Sequence, residues 1–250
     1  SLMATLLTKD TGFRSAHEVA LALEKDGGFM VDASGNNSFA LAVEVLPEKS
    51  GDGLHALEEA VLHPAFREET VLREREAQLA HIRELEDDIL DCGRLALRRH
   101  FFGSHPFASD PAGSLDSVGQ LGPEHLRAFH KRLVTAGNTV LVMAGDFDPD
   151  ALLPRAVAFL KQLPEEHAWY PDTTDPLPAR RGTVSEFLDR EQTVAFDAFP
   201  DMGFKPDGEV VGEVLDEMLS DMSGPLFHAV REKNSLAYFV GASRLLGHNF

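Results

Sequence analysis

The sequence contains a single cysteine, Cys92, and no apolar run of about 18 residues that could form a transmembrane helix. One thiol cannot form an internal disulfide or a thiolate zinc site, so nothing in the chain requires an oxidising compartment. No charged segment followed by an apolar one marks a signal peptide near the start. We therefore expect a soluble protein of the cytoplasm or the periplasm, with no membrane insertion.

Positive charge is also scarce. Lys and Arg number 23 against 41 Asp and Glu, which leaves a formal charge of −18. Nucleic acids and anionic lipids are bound mainly by cations, so both classes of partner are excluded on charge. Apolar residues make up 43% of the chain and charged residues 26%, a composition typical of a folded globular protein. At 250 residues, two domains are expected.

Motifs for common chemistries are missing as well. The eleven histidines never occur in His-Glu-x-x-His or beside a Cys-x-x-Cys pair, so the usual zinc spacings are absent. No Gly-rich phosphate loop and no Gly-x-Ser-x-Gly elbow is present, so nucleotide chemistry and serine hydrolysis have no anchor. These absences leave the chain without a self-evident active site.

Two acidic patterns have a structural and a metal-binding interpretation. Asp146, Asp148 and Asp150 have the spacing of a calcium loop, but Ala151 replaces its glycine and Val157 its bidentate glutamate, so helix capping is favoured.

The second pattern is Glu74, His81, Glu84 and Asp88, which lie on one face of a predicted long helix. They could hold a cation, but a solvated charged face is the favoured interpretation. His130, which shares a helix face with Leu126 and Leu133, is expected to pack in the core.

Helix and strand signals alternate over residues 1–165, the first predicted domain. A Ser15–Glu18 capping box begins one helix, and strands joined at Gly35-Asn36 follow. The other predicted elements are helices over 52–63, 67–101 with a break at Gly93, 123–133, from Asp148, over 207–219 and ending near Arg231, and strands "NTVLVMAG", "QTVAFDAF" and one after Arg231. The proline-rich residues 166–188 predict a linker, and 189–250 the first part of a second domain.

Five blocks of the sequence resemble, in order and spacing, the insulinase/pitrilysin family of zinc peptidases, including mitochondrial processing-peptidase-like relatives. The blocks are "LLTKDTGFRSAHEVALALEKDGG", "LEEAVLHPAFREETVLREREAQLAHI", "RRHFFGSHPFASDPAGSLDSVGQLGPEHLRAFH", "NTVLVMAGDFDPDALLPRAVAFL" and "SGPLFHAVREKNSLAYFV". The resemblance implies an α+β architecture: mostly antiparallel sheets flanked by helices, in paired domains of which the second is incomplete here. It also implies peptide hydrolysis at a zinc-bound water.

The zinc site that the resemblance implies is degenerate in this chain. The family's His-x-x-Glu-His motif falls on Ser1, Ala4 and Thr5, and its later pair of glutamates falls on Glu74 and His81. We therefore expect no catalytic residue and no metal in this chain, with zinc held only by a catalytic partner half. The alternative is an active peptidase whose zinc motif lies upstream of this sequence.

A second set of residues retains the family pattern. Arg231 and Tyr238 match an arginine and a tyrosine that contact substrate in the domain opposite the zinc. A guanidinium can donate to peptide carbonyls and a phenol can stabilise an oxyanion. The alternative is that Arg231 merely ends a helix while Tyr238 packs its ring.

The sequence thus predicts the inactive, zinc-less part of a zinc peptidase. Its partners would be a peptide substrate and a zinc-bearing half or subunit of the same family, with Arg231 and Tyr238 binding the peptide. The runner-up function is a structural scaffold subunit like those in the core of respiratory complexes.

Overall fold

The computed structural model describes residues 1–165, 180–201 and 206–245. The α-helices are α1 (Leu2–Leu7), α2 (Ala16–Glu24), α3 (Ser50–Leu62), α4 (Glu68–Asp87), α5 (Ile89–Phe102), α6 (Leu115–Gly119), α7 (Pro123–Leu133), α8 (Pro149–Leu160), α9 (Pro206–Ser220) and α10 (Pro225–Phe227). The strands are β1 (Phe29–Ser34) and β2 (Phe39–Glu44). Across these ranges, no helix combines the length and the apolar composition that a bilayer-spanning helix requires.

The chain divides into two compact units, with the division inside α5. The first comprises Ser1–Leu95 and the stretch from Ser109 to the described end at 165, and the second comprises Ala96–Ala108 with the described residues from 180 onward. The predicted domain ends at 165 and 189 remain a prediction, and most of the predicted linker lies outside the described residues.

Short-range sequence features set both ends of α2. Ser15 caps α2 as expected: its hydroxyl accepts from the Glu18 amide while the Glu18 carboxylate accepts from the Ser15 amide at 2.8 Å. Gly27, at φ 78°, follows the end of that helix, where the left-handed backbone favours glycine.

β1 and β2 then pair antiparallel, with Met30 opposite Val43 and Asp32 opposite Leu41. The connection spans residues 35–38 and not two residues at Gly35-Asn36, because Gly35 N donates to Ser38 O at 2.9 Å and Gly35 has no left-handed φ.

Two of the apolar clusters of the first unit join its helices to the sheet and to each other. In the first, α1 and the start of α4 pack together, through Leu2, Met3, Leu6, Leu7, Phe66, Val71 and Leu126, against Phe39 and Leu41 of β2. The second joins α3 and α8 through Leu54, Leu152, Ala156 and Phe159. Phe39 and Leu41 of β2 therefore face the helices, which hold the sheet on that side.

Asp10 is a buried carboxylate that joins three segments of this unit, and it is only 5% exposed. Its Oδ1 accepts from the amide of Ala16 at 2.9 Å, at the start of α2, and lies 3.5 Å from the Arg67 guanidinium. Its Oδ2 accepts from the Thr70 hydroxyl in the first turn of α4. One side chain thus fixes the end of α1 against the starts of two other helices.

His130 packs as predicted, on α7 beside the Phe66 ring, with 5.9 Å between ring centroids. Its Nε2 lies 2.9 Å from the carbonyl oxygen of Val61. Burial lowers the pKa of His130 below its usual value of 6.5, and the Val61 carbonyl acts in the opposite direction. The imidazole is therefore neutral at pH 7.

The break in the long charged helix lies at Asp88 and not at Gly93. Asp88 leaves the helical conformation, at ψ 125°, and its Oδ1 accepts from the amides of Leu90 and Asp91 at 2.8 and 3.0 Å. An aspartate that caps a new helix outcompetes a helical glycine as the point of interruption. Asp148 caps α8 in the same way, as expected, accepting from the amide of Asp150 at 3.0 Å.

Three predicted strands are wrong as strands. The segments over 138–145, 192–199 and after Arg231 belong to no sheet in the described part of the chain. The first keeps the alternation of a strand: Leu141 and Met143 pack on the cluster of α3 and α8, whereas Val140 is 86% exposed. Among the described residues, none of its amides or carbonyls from 139 to 145 makes a backbone hydrogen bond. Alternation specifies an extended segment, but a strand also needs a paired neighbour.

In the second unit the chain after the last helix returns along α9. Arg244 binds the carboxylate of Asp201, with Nε 2.7 Å from Oδ2, and donates to the carbonyl of Glu209 at 3.1 Å. Ser220 Oγ and Ala242 exchange two hydrogen bonds, of 2.9 and 3.2 Å. After α9, Gly224 turns the chain into α10, which continues as the π-helix His228–Lys233.

Candidate functional site

The positions that would carry a zinc motif lie in the first unit, where they serve packing. Ser1 precedes α1, and Ala4 and Thr5 lie within it. Ala4 is buried and offers no lone pair. The hydroxyl of Thr5 donates to Asp32 Oδ2 on β1 at 3.0 Å, a bond that ties the helix to the sheet.

Glu74 on α4 is neutralised by cations of this chain. Its carboxylate lies 4.0 Å from Nζ of Lys9 and accepts from Nε of Arg73 at 3.1 Å. His81, two turns further along, has a side chain that is 58% exposed and lies 3.9 Å from Glu84. Glu74 and His81 therefore have other partners in this unit.

These residues do not fit a zinc ion. Zinc sites need three or four histidine, cysteine or carboxylate ligands that converge on one point. Among the residues that the structure describes, no group of three such side chains is placed to hold a metal, including the acidic face of α4 and Asp146, Asp148 and Asp150.

The second unit brings the other predicted pair together. Arg231 lies in the π-helix, and the turn after it is closed by Ser235 N, which donates to Arg231 O at 3.0 Å, and by Leu236 N, which donates to Val230 O at 3.0 Å. This turn places the guanidinium carbon of Arg231 4.4 Å from the centroid of the Tyr238 ring. Tyr238 itself is 84% exposed.

A third side chain completes this site. The guanidinium carbon of Arg231 also lies 5.0 Å from the ring centroid of Phe227. Sequence reasoning missed Phe227, although it precedes Arg231 by four residues, the spacing at which side chains meet on a helix. The site therefore consists of one cation with two aromatic neighbours.

The guanidinium keeps its donors available. Stacking on a ring uses the faces of the guanidinium plane, whereas its five N–H groups point outward in that plane. In the described part of the chain, no oxygen accepts a hydrogen bond from the side chain of Arg231, and the adjacent Glu232 binds His228 Nδ1 at 2.6 Å. An uncommitted cation in a chain with charge −18 is equipped to donate to carbonyl oxygens of a ligand.

Ser235 allows a direct test of the turn that joins the pair. Its φ is 52°, in the left-handed region where a side chain costs about 1 kcal/mol. We expect Ser235→Gly to leave the unfolding free energy unchanged or to raise it by up to about 1 kcal/mol, because relief of strain is partly offset by the entropy of glycine. Ser235→Val should lower the thermal midpoint. Equal midpoints for the two variants would contradict this conformation.

The comparisons with known proteins agree with this fold. Residues 120–248, more than half of the chain, match the family described as the peptidase M16 inactive domain. An uncharacterized zinc protease of Rickettsia felis is 25% identical, with 94% of this chain and 57% of that protein aligned. A non-peptidase homolog of Helicobacter pylori is 24% identical over 80% of this chain and 46% of that protein. The chain thus spans about half the length of these relatives.

A solved structure gives the same result. The crystal structure of a peptidase M16 inactive domain from Pseudomonas fluorescens superposes with a TM-score of 0.80 and 20% identity, over 98% of this chain and 60% of that one. A likeness at this level of identity establishes the fold.

Proposed function

Because the chain belongs to the peptidase M16 inactive domain family, we propose that it forms the non-catalytic part of a zinc peptidase and binds peptide through Arg231 and Tyr238. The zinc and the catalytic residues would belong to another half or subunit, with which this chain would enclose the substrate. The observation that carries the proposal is the Arg231 guanidinium, whose central carbon lies over the Tyr238 ring, 4.4 Å from its centroid, and which has no acid partner among the described residues.

Each side chain would have a defined role. The N–H groups of Arg231 would donate to backbone carbonyls of an extended peptide, an interaction that is independent of the peptide's side chains. The exposed ring of Tyr238 would cover apolar peptide side chains while its hydroxyl donates to a carbonyl. Ala4, Thr5 and Glu74, at the degenerate zinc positions, would have a structural role only. The bound peptide would therefore not be hydrolysed by this chain.

Peptide binding is the direct test. A fluorescein-labelled, unstructured cationic peptide is the suitable probe, because the chain carries a charge of −18. We expect Arg231→Ala to weaken binding by about tenfold, since a lost charge-assisted hydrogen bond is worth about 1.5 kcal/mol. Tyr238→Phe, which removes only the hydroxyl, should weaken it by about threefold. Fluorescence anisotropy measures both.

Lys233→Ala is the matched control, because it removes one positive charge from the same π-helix. Its affinity should stay within about twofold of the parent protein. If Arg231→Ala and Lys233→Ala behave alike, the effect is general electrostatics and the proposed site fails. If the parent protein does not bind peptide, the scaffold function is favoured.

The assignment of zinc to a partner needs its own measurement. Elemental analysis of the purified protein should give no stoichiometric zinc, and the fluorogenic form of the same peptide should remain uncut with or without a chelator. Stoichiometric zinc together with cleavage that a chelator abolishes would overturn the non-catalytic role.

A further inference from the structure

We infer that Phe227 is a positioning residue: together with the solvent-exposed ring of Tyr238, it holds the guanidinium of Arg231 in place. The guanidinium carbon lies 5.0 Å from the Phe227 centroid and 4.4 Å from the Tyr238 centroid. A guanidinium over the face of an aromatic ring is attracted by the negative charge of that face. Two such contacts restrict an arginine that otherwise has many rotamers.

The two rings differ in how firmly they are held. Phe227 is half-buried and ends α10, directly after the tight turn at Gly224. Tyr238 is 84% exposed and follows a turn that contains the left-handed Ser235. Because Phe227 belongs to a helix and is less exposed than Tyr238, the supporting role is assigned to Phe227.

The local helix geometry makes this support possible. Phe227 and Arg231 are four residues apart, and the π-helix begins at His228, between them. His228 is bound to Glu232 at 2.6 Å, and Asn234 Nδ2 donates to the carbonyl of Ala229 at 2.7 Å. The neighbouring polar side chains of Glu232 and Asn234 therefore bind other groups. Among the described residues, the guanidinium of Arg231 contacts two aromatic rings instead.

The consequence for binding is a smaller entropic cost. An arginine side chain that is already ordered loses less rotamer freedom when it contacts a ligand. Since this contact is with the peptide, the inference rests on the proposed function for its effect on affinity, but not for the order of Arg231 itself.

The experiment uses two readouts on the full chain. Phe227→Leu keeps an apolar side chain without a ring, and Phe227→Tyr keeps the ring. In an NMR spectrum, the ring currents of Phe227 and Tyr238 should shift the Arg231 side-chain resonances upfield. We expect Phe227→Leu to move these resonances downfield and to weaken binding of the labelled peptide by about threefold to fivefold. Phe227→Tyr should retain both properties.

A double variant tests whether Phe227 acts through Arg231. If it does, Phe227→Leu should have no further effect on affinity when Arg231 is already alanine. Additive losses, or Arg231 resonances that do not move in a folded Phe227→Leu protein, would overturn the inference. A moved resonance in a protein that does not bind the peptide would retain the positioning role and refute the proposed function.

Discussion

Replacing Asp10 with alanine is expected to lower the free energy of unfolding of the first unit by about 3 kcal/mol. The carboxylate accepts hydrogen bonds from the Thr70 hydroxyl and the Ala16 amide, and Asp10 is only 5% exposed. Alanine would leave the buried Thr70 hydroxyl and the partly buried Ala16 amide without their acceptor, and it would leave Arg67 without its anion. The thermal midpoint should fall by about 6–12 °C.

Two further variants make this result specific. Asp10→Asn keeps an acceptor for the Ala16 amide and should lose less stability than Asp10→Ala. Asp52→Ala is the surface control, because its side chain is 71% exposed and lies 3.7 Å from Lys49, so the change should stay within about 0.5 kcal/mol. Calorimetry of all three measures the difference. A midpoint for Asp10→Ala equal to that of Asp52→Ala would refute the joining role.

Gly224→Ala is expected to cost about 3 kcal/mol in the second unit and to disrupt the Arg231 site. A Cβ at this position would clash with the carbonyl oxygen of Met218 and would lie 2.8 Å from that of Asp221. Both are backbone atoms, so α9 and the following helix would have to separate. Phe227, which contacts Arg231, lies only three residues after Gly224, so the resonances of Arg231 should shift as well.

Gly119→Ala separates crowding from the general effect of removing a glycine. Nothing lies within 4 Å of a Cβ at Gly119, and this residue ends α6. Alanine there should be neutral or slightly stabilising, by up to about 1 kcal/mol. The comparison needs only two thermal unfolding curves. Similar curves for Gly224→Ala and Gly119→Ala would show that the close approach at Gly224 is not required.

Features set by near neighbours in the sequence were predictable. The Ser15–Glu18 capping box and the Asp148 cap are present because a cap involves residues within three or four positions of each other. The helix break was predicted at Gly93, whereas it lies at Asp88. Glycine only weakens a helix, but the Asp88 carboxylate caps the first amides of α5 and so starts a new one. The strands around 138–145 and 192–199 were predicted from their local apolar composition, which carries no information about pairing.

The candidate site was likewise predicted only in part. Arg231 and Tyr238 were identified through a resemblance to a family, and the structure places them in contact. Their function in peptide binding remains a prediction. Phe227 was missed, although its spacing from Arg231 was visible. The close approach at Gly224 and the contacts of Asp10 with Thr70 depend on residues brought together by the fold, and a single sequence does not specify them.

The extended segment at 138–145 separates two properties that usually occur together. Leu141 and Met143 are packed against the cluster of α3 and α8, yet the amides from 139 to 145 have no backbone acceptor among the described residues. Protection from hydrogen exchange depends on hydrogen bonding and local opening more than on side-chain burial. Deuterium would therefore enter this segment early while α8, on which it packs, still retains its protons.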